Sequence, residues 1–130
     1  MNNTPVPGGE FLHKEITQEI IGAAFEVYKH LGYGYLEKVY QRAMQVELLQ
    51  RGLKAQLEHP IQVRYKGAVV GDYAADLFVE GRVMVELKVA PEYSSADEAQ
   101  LLNELVSTGV KVGLLVNFGR QRVEFARRVH

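Results

Sequence analysis

Asp76, Glu86 and Lys88 have the residue types and spacing to handle a cation, and all three fall between Tyr73 and Val89. Side chains alternate across a strand, so odd and even positions point to opposite faces. The odd positions Ala75, Leu77, Val79, Val83, Val85, Leu87 and Val89 are all apolar, which predicts a core face. The charged trio sits on even positions, among Ala74, Phe78 and Met84. Partly buried carboxylates beside a lysine offer oxygen donors to a hard divalent cation. A plainer reading is also open: a solvated face on which Glu86–Lys88 pairing offsets the repulsion between two acids.

The turn between the two strands follows from the same parity. A two-residue loop at Glu80-Gly81 pairs Asp76 with Val85 and sends the apolar sets to opposite faces. A three-residue loop of Glu80, Gly81 and Arg82 aligns the apolar sets and pairs Asp76 with Glu86. Gly81 or a neighbour then supplies the positive φ such turns need. Two carboxylates are thus expected opposite one another, roughly 5 Å apart at Cβ.

The elements that must carry this hairpin can be read from periodicity. Ile16, Ile20, Ala23, Val27 and Leu31 recur at helical spacing from Leu12 onward, with a stop at Gly32 and Gly34. A second helix is expected with Leu36, Val39, Tyr40, Ala43 and Leu48 on its buried side and Gly52 closing it. Ile61, Val63 and Tyr65 then alternate with polar residues, as a strand does. Lys66-Gly67 predicts a turn into a short strand over Ala68 to Val70. After Pro91, Ser95 and Glu98 fit a capping box at a helix start. That helix carries Leu101, Leu102 and Leu105 inward and ends at Gly109. A buried strand is expected over Val110 to Val116, and a weakly marked one over Arg122 to Phe125.

Bulk composition sets limits on the chemistry. The chain has 130 residues, 47% hydrophobic and 24% charged, an ordinary globular composition. It has no cysteine, which excludes disulfides and thiolate-held metals. Its four histidines are scattered, so a bound metal would be held by oxygen, favouring magnesium, manganese or calcium over zinc. The formal charge of −1 shows no basic excess; Arg120, Arg122, Arg127 and Arg128 form the one basic cluster. Residues 1–11, with Pro5, Pro7, Gly8 and Gly9, read as a flexible lead-in to a single domain over 12–130. No run approaches the roughly 20 apolar residues of a membrane span, so a soluble cytoplasmic protein with no membrane partner is expected.

The run Gly34-Tyr35-Leu36-Glu37-Lys38-Val39-Tyr40 matches a GxxExxY pattern. It occurs in order with Tyr73-Ala74-Ala75-Asp76-Leu77, Val85-Glu86-Leu87-Lys88, Glu98-Ala99-Gln100-Leu101-Leu102 and Gly113-Leu114-Leu115-Val116-Asn117-Phe118. Over Leu12 to Phe118 the chain therefore resembles the GxxExxY family of small bacterial and archaeal proteins, placed in the PD-(D/E)XK nuclease superfamily. The resemblance implies a restriction-endonuclease-like αβββαβ core, a mixed sheet flanked by helices. By position, Asp76 becomes the motif aspartate and Glu86 and Lys88 the ExK pair. Glu37 becomes the acid of the first core helix. Mg²⁺ or Mn²⁺ would be held by Asp76, Glu86, the Leu87 backbone carbonyl and Glu37, with Lys88 orienting the attacking water.

Gln100 matches the glutamine of a QxxxY motif, and with Tyr40 makes the expected substrate-binding pair. Glu104 stands at the motif's tyrosine, and Asp97 where many relatives carry histidine. Each residue has a plainer reading: Glu37 as a surface helix acid, Tyr40 as core, Gln100 as an exposed polar residue. The implied function is a metal-dependent nuclease hydrolysing phosphodiester bonds of nucleic acid, with DNA favoured. The alternatives are a non-catalytic nucleic-acid-binding or protein-interaction module on the same fold, and a homo-oligomeric accessory protein.

Overall fold

The computed structural model describes residues 12–130; the expected lead-in over 1–11 lies outside the described residues. Helix α1 (Lys14–Leu31) follows the apolar spacing and stops at Gly32, whose φ of 69° favours glycine. Helix α2 (Glu37–Gln50) buries Tyr40, Gln41, Met44 and Leu48. The expected buried side is corrected here, since Leu36 is 79% exposed and Val39 is also exposed. Leu36 precedes the first helical turn, and Val39 lies off the 40–44–48 stripe.

Strand β1 (Ala55–Tyr65) and strand β2 (Ala68–Val79) form a long antiparallel hairpin. Lys66 and Gly67 make its two-residue turn with φ of 49° and 84°, both positive, as the tightest hairpins require. Strand β1 begins before the alternation read over Ile61 to Tyr65, because His59 and Pro60 interrupt it, and the segments expected over 68–70 and 73–79 form one continuous strand, β2. Pro60 is tolerated because β1 is an edge strand. Strand β3 (Val83–Lys88) follows the expected three-residue turn, with positive φ at Glu80 and Gly81.

Helix α3 (Ala96–Thr108) crosses over to strand β4 (Val112–Phe118), which lies parallel to β3. Strand β5 (Val123–Val129) closes the sheet in the order β1-β2-β3-β4-β5. This five-stranded mixed sheet flanked by helices is a restriction-endonuclease-like α/β architecture. The capping box at α3 does not form. Ser95 makes no side-chain cap bond, and the Glu98 carboxylate instead accepts the Tyr93 hydroxyl and the Arg128 guanidinium.

Two buried clusters lie on opposite faces of the sheet. Helices α1 and α2 pack Ile20, Met44 and Leu48 against Leu77, Val85, Leu87, Val116 and Phe118. Helix α3 packs Leu101 and Leu105 against Ile61, Ala75, Met84 and Leu115. Ala75 therefore departs from the expected common odd face. The cause is local: Glu58 adopts a left-handed φ of 57°, which breaks the pleat of β1. Leu57↔Leu77 and His59↔Ala75 are paired, but Glu58 and Asp76 between them drop out of the ladder. Both strands change face there, leaving two acids at the seam.

Candidate active site

The turn sets the register Leu77↔Val85, Phe78↔Met84 and Val79↔Val83, as parity requires. Continued, it would oppose Asp76 to Glu86, but the ladder ends at Leu77. Beyond that point Asp76 Oδ2 accepts the Leu87 N–H at 2.8 Å, a side-chain bond where no ladder bond is made. The Asp76 carbonyl accepts from Gln41 Nε2 at 3.0 Å, and the same amide donates to Glu58 Oε1 at 3.0 Å. One buried glutamine of α2 thus holds both seam residues.

Glu37 opens α2, where the helix dipole favours a carboxylate. It lies one helical turn before Gln41 and within hydrogen-bonding reach of Asp76. Loss of water and the Asp76 charge raise its pKa, against the pull of Lys88. Asp76 is raised by burial first, with the Leu87 N–H and Lys88 opposing and Glu58 adding to the rise.

Glu86 points to the α3 face, where it meets the carboxyl of Glu104 within hydrogen-bonding reach. Burial, then Glu104 and Asp76, push Glu86 up to about 9. Glu104 is 1% exposed and is raised too, chiefly by burial. Gln100 Nε2 donates to Glu104 Oε1 at 3.2 Å. Glu86 Oε1 and Glu104 Oε2 are buried with no donor apart from a proton that the two carboxyls share. Lys88 forms no direct ion pair among the described residues. It still favours the charged forms of Glu37, Asp76, Glu86 and Glu104. The face is therefore not simply solvated: Glu86 is covered by α3.

The expected residues Asp76, Glu86, Lys88 and Glu37 share one electrostatic neighbourhood, and Gln100 joins it through Glu104. Tyr40 does not. It is fully buried, stacks on Phe118 at 4.4 Å between centroids, and donates its hydroxyl to the Gly32 carbonyl at 2.5 Å. Its position is that of a core residue, not of a substrate contact. The arginines separate only in part: Arg120 and Arg122 line one cavity with Glu92 and Glu124, Arg122 pairing with Glu124 at 3.7 Å, while Arg128 binds Glu98 and Arg127 binds the Leu12 carbonyl. Sequence reasoning missed Gln41, Glu58 and the placement of Glu104. Spacing could have found two of them, since Gln41 follows Glu37 by one turn and Glu104 follows Gln100 by one turn.

The donor set suits a hard cation. Every side-chain donor is an oxygen, and two carboxylate oxygens are orphaned in a buried place where a positive ion would relieve them. Among the described residues no three acidic or histidine side chains already converge at ligand spacing. An ion would therefore rest directly on one or two carboxylates, with water and substrate oxygens completing its shell and the other acids reaching it through water.

A family model described as the PD-(D/E)XK nuclease superfamily matches residues 14–129. No curated protein matches the chain. Among solved structures, the crystal structure of SSO0001 is similar, with a TM-score of 0.54 at 15% sequence identity. The alignment covers 95% of this chain and 62% of that one, so this chain spans less than two thirds of SSO0001. At that identity the likeness speaks for the fold alone. No helix among the described residues is long and apolar enough to cross a membrane.

Proposed function

This chain belongs to the PD-(D/E)XK nuclease superfamily, and on that footing we propose that it is a Mg²⁺- or Mn²⁺-dependent nuclease hydrolysing phosphodiester bonds of nucleic acid, DNA in the first instance. The superfamily generally uses divalent metal ions and implies a nucleic-acid substrate. The observation that carries the proposal is the buried Glu86 Oε1, which sits beside Asp76 and Lys88 and faces only another carboxyl, that of Glu104. Asp76 and Glu86 would hold the ion, with the Leu87 carbonyl and Glu37, directly or through water.

When bound, the ion supplies charge stabilisation at the phosphate and a more acidic water. Lys88 would orient that water and neutralise charge developing on the phosphate oxygens. The Leu87 N–H fixes one Asp76 oxygen at 2.8 Å, so the other oxygen is held ready. Gln41 holds the Asp76 backbone and Glu58 together, which keeps the seam from opening. The GxxExxY spacing of Gly34, Glu37 and Tyr40 supports placing the chain in that subfamily.

The test is Mn²⁺-dependent cleavage of single- and double-stranded DNA by wild type, Asp76→Ala, Glu86→Ala and Lys88→Ala. Cleavage by wild type that all three substitutions abolish is expected. Unchanged cleavage in Asp76→Ala and Glu86→Ala would overturn the site. Salt-dependent DNA binding without cleavage under any divalent metal would instead favour a non-catalytic binding module.

A further inference from the structure

Glu104 is the one acid in this neighbourhood that α3 supplies, and the residues so far assigned to the ion do not include it. It is 1% exposed, a degree of burial at which an ionisable side chain is rare unless something compensates its charge. Gln100 satisfies only one of its oxygens. The other oxygen, Oε2, receives no donor from any other residue, and neither does Glu86 Oε1 on the facing strand, so only a proton shared between the two carboxyls or a cation can satisfy them. Four carboxyls, Glu37, Asp76, Glu86 and Glu104, share the pull of the single amino group of Lys88, and Glu58 adds its charge at Glu37 and Asp76. One lysine leaves that excess largely uncompensated.

We propose that Glu104 is a further carboxylate ligand of the divalent-cation site, sharing the ion with Glu86 across the gap between α3 and β3. Two carboxylates, with the other positions left to water and substrate oxygens, are a sufficient seat for a magnesium-sized ion. Gln100 then becomes a positioning residue: by holding Glu104 Oε1 at 3.2 Å it leaves Oε2 for the ion. An ion shared in this way would tie α3 to the strand it packs against, so binding at the site would also stiffen the crossover helix.

This inference rests on the metal-centre reading above, and the experiment separates the two. Mn²⁺ binding is measured by titration calorimetry, with free Mn²⁺ followed by its EPR signal, for wild type, Glu104→Gln and Gln100→Ala. Glu104→Gln keeps the shape and removes the charge, and should weaken Mn²⁺ binding by about 10-fold or more; Gln100→Ala should weaken it by a smaller factor. If Glu104→Gln fails to fold, Glu104→Asp, which withdraws the oxygens by one carbon, takes its place with the same expected direction. Wild-type protein that binds no Mn²⁺ would overturn the metal centre and this inference together. Wild-type binding that Glu104→Gln or Glu104→Asp leaves unchanged would overturn this inference alone.

Discussion

Replacing Glu86 with glutamine should stabilise the metal-free fold while abolishing its chemistry. Burial and the neighbouring acids hold the Glu86 carboxyl at about 9 in the folded chain, against 4.5 for an unperturbed glutamate. Between those values the folded state binds the proton that the unfolded state has released. The contribution of Glu86 to stability is therefore complete below the unfolded value and falls as pH rises toward the folded one. At about pH 7.5 the gap of three units above 4.5 corresponds to about 4 kcal/mol as a ceiling. Glu104 shares the strain and glutamine still buries a polar group, so a gain of about 1–4 kcal/mol is expected. Urea unfolding in the presence of a chelator, at about pH 5 and about pH 7.5, measures it. The gain should be present at the higher pH and nearly vanish at the lower one. An equal gain at both, or a loss at about pH 7.5, would refute the placement of Glu86 against Glu104. Saturating Mn²⁺ should reverse the order, because only the wild type has the charge that the ion needs.

Asp76→Asn keeps an acceptor for the Leu87 N–H and should fold as wild type while losing metal-dependent cleavage; Asp76→Ala should also lose about 1–3 kcal/mol on urea unfolding. Tyr40→Phe retains the stack on Phe118 but strips the bond to the Gly32 carbonyl, for a loss of about 1 kcal/mol with cleavage little changed. A larger loss of cleavage than of stability would restore Tyr40 as a substrate contact. Gly113→Ala would bring a methyl to 2.9 Å from Leu101 Cδ1 and 3.1 Å from Leu105 Cδ2, lifting α3 off the sheet. It should cost about 1–3 kcal/mol on thermal unfolding and weaken Mn²⁺ binding through the displaced Glu104.

The parts of the fold that depend on regular spacing could be read from the chain alone. Helix α1 and its glycine stop needed only the recurrence of Ile16, Ile20, Ala23 and Val27. The three-residue turn followed from the parity of the apolar residues in β2 and β3, and the register confirms it. What parity cannot show is a single residue that leaves the β region. Glu58 carries no sequence mark of its left-handed φ, so the transfer of Ala75 to the other face was invisible. The capping box at Ser95 was a sound local motif, but Arg128, thirty positions away, takes the Glu98 carboxylate. Glu104 was read only as a missing tyrosine, because nothing in α3 itself reveals that Glu86 faces it. Gln41 could be reached by spacing, one turn after Glu37, but its partners could not: the Asp76 carbonyl and Glu58 belong to strands far along the chain.

The change of face at Glu58 and Asp76 affects how mutations can reach the site. The two buried clusters are built from different helices and share no side chain. Acids arrive at the seam from both: Glu37 on α2 from one side, Glu104 on α3 from the other. Repacking under α1 and α2 therefore shifts one bank of carboxylates, and repacking under α3 shifts the opposite bank. Their spacing is a property of neither half alone, so changes too small to unfold either can still add up in the gap between them.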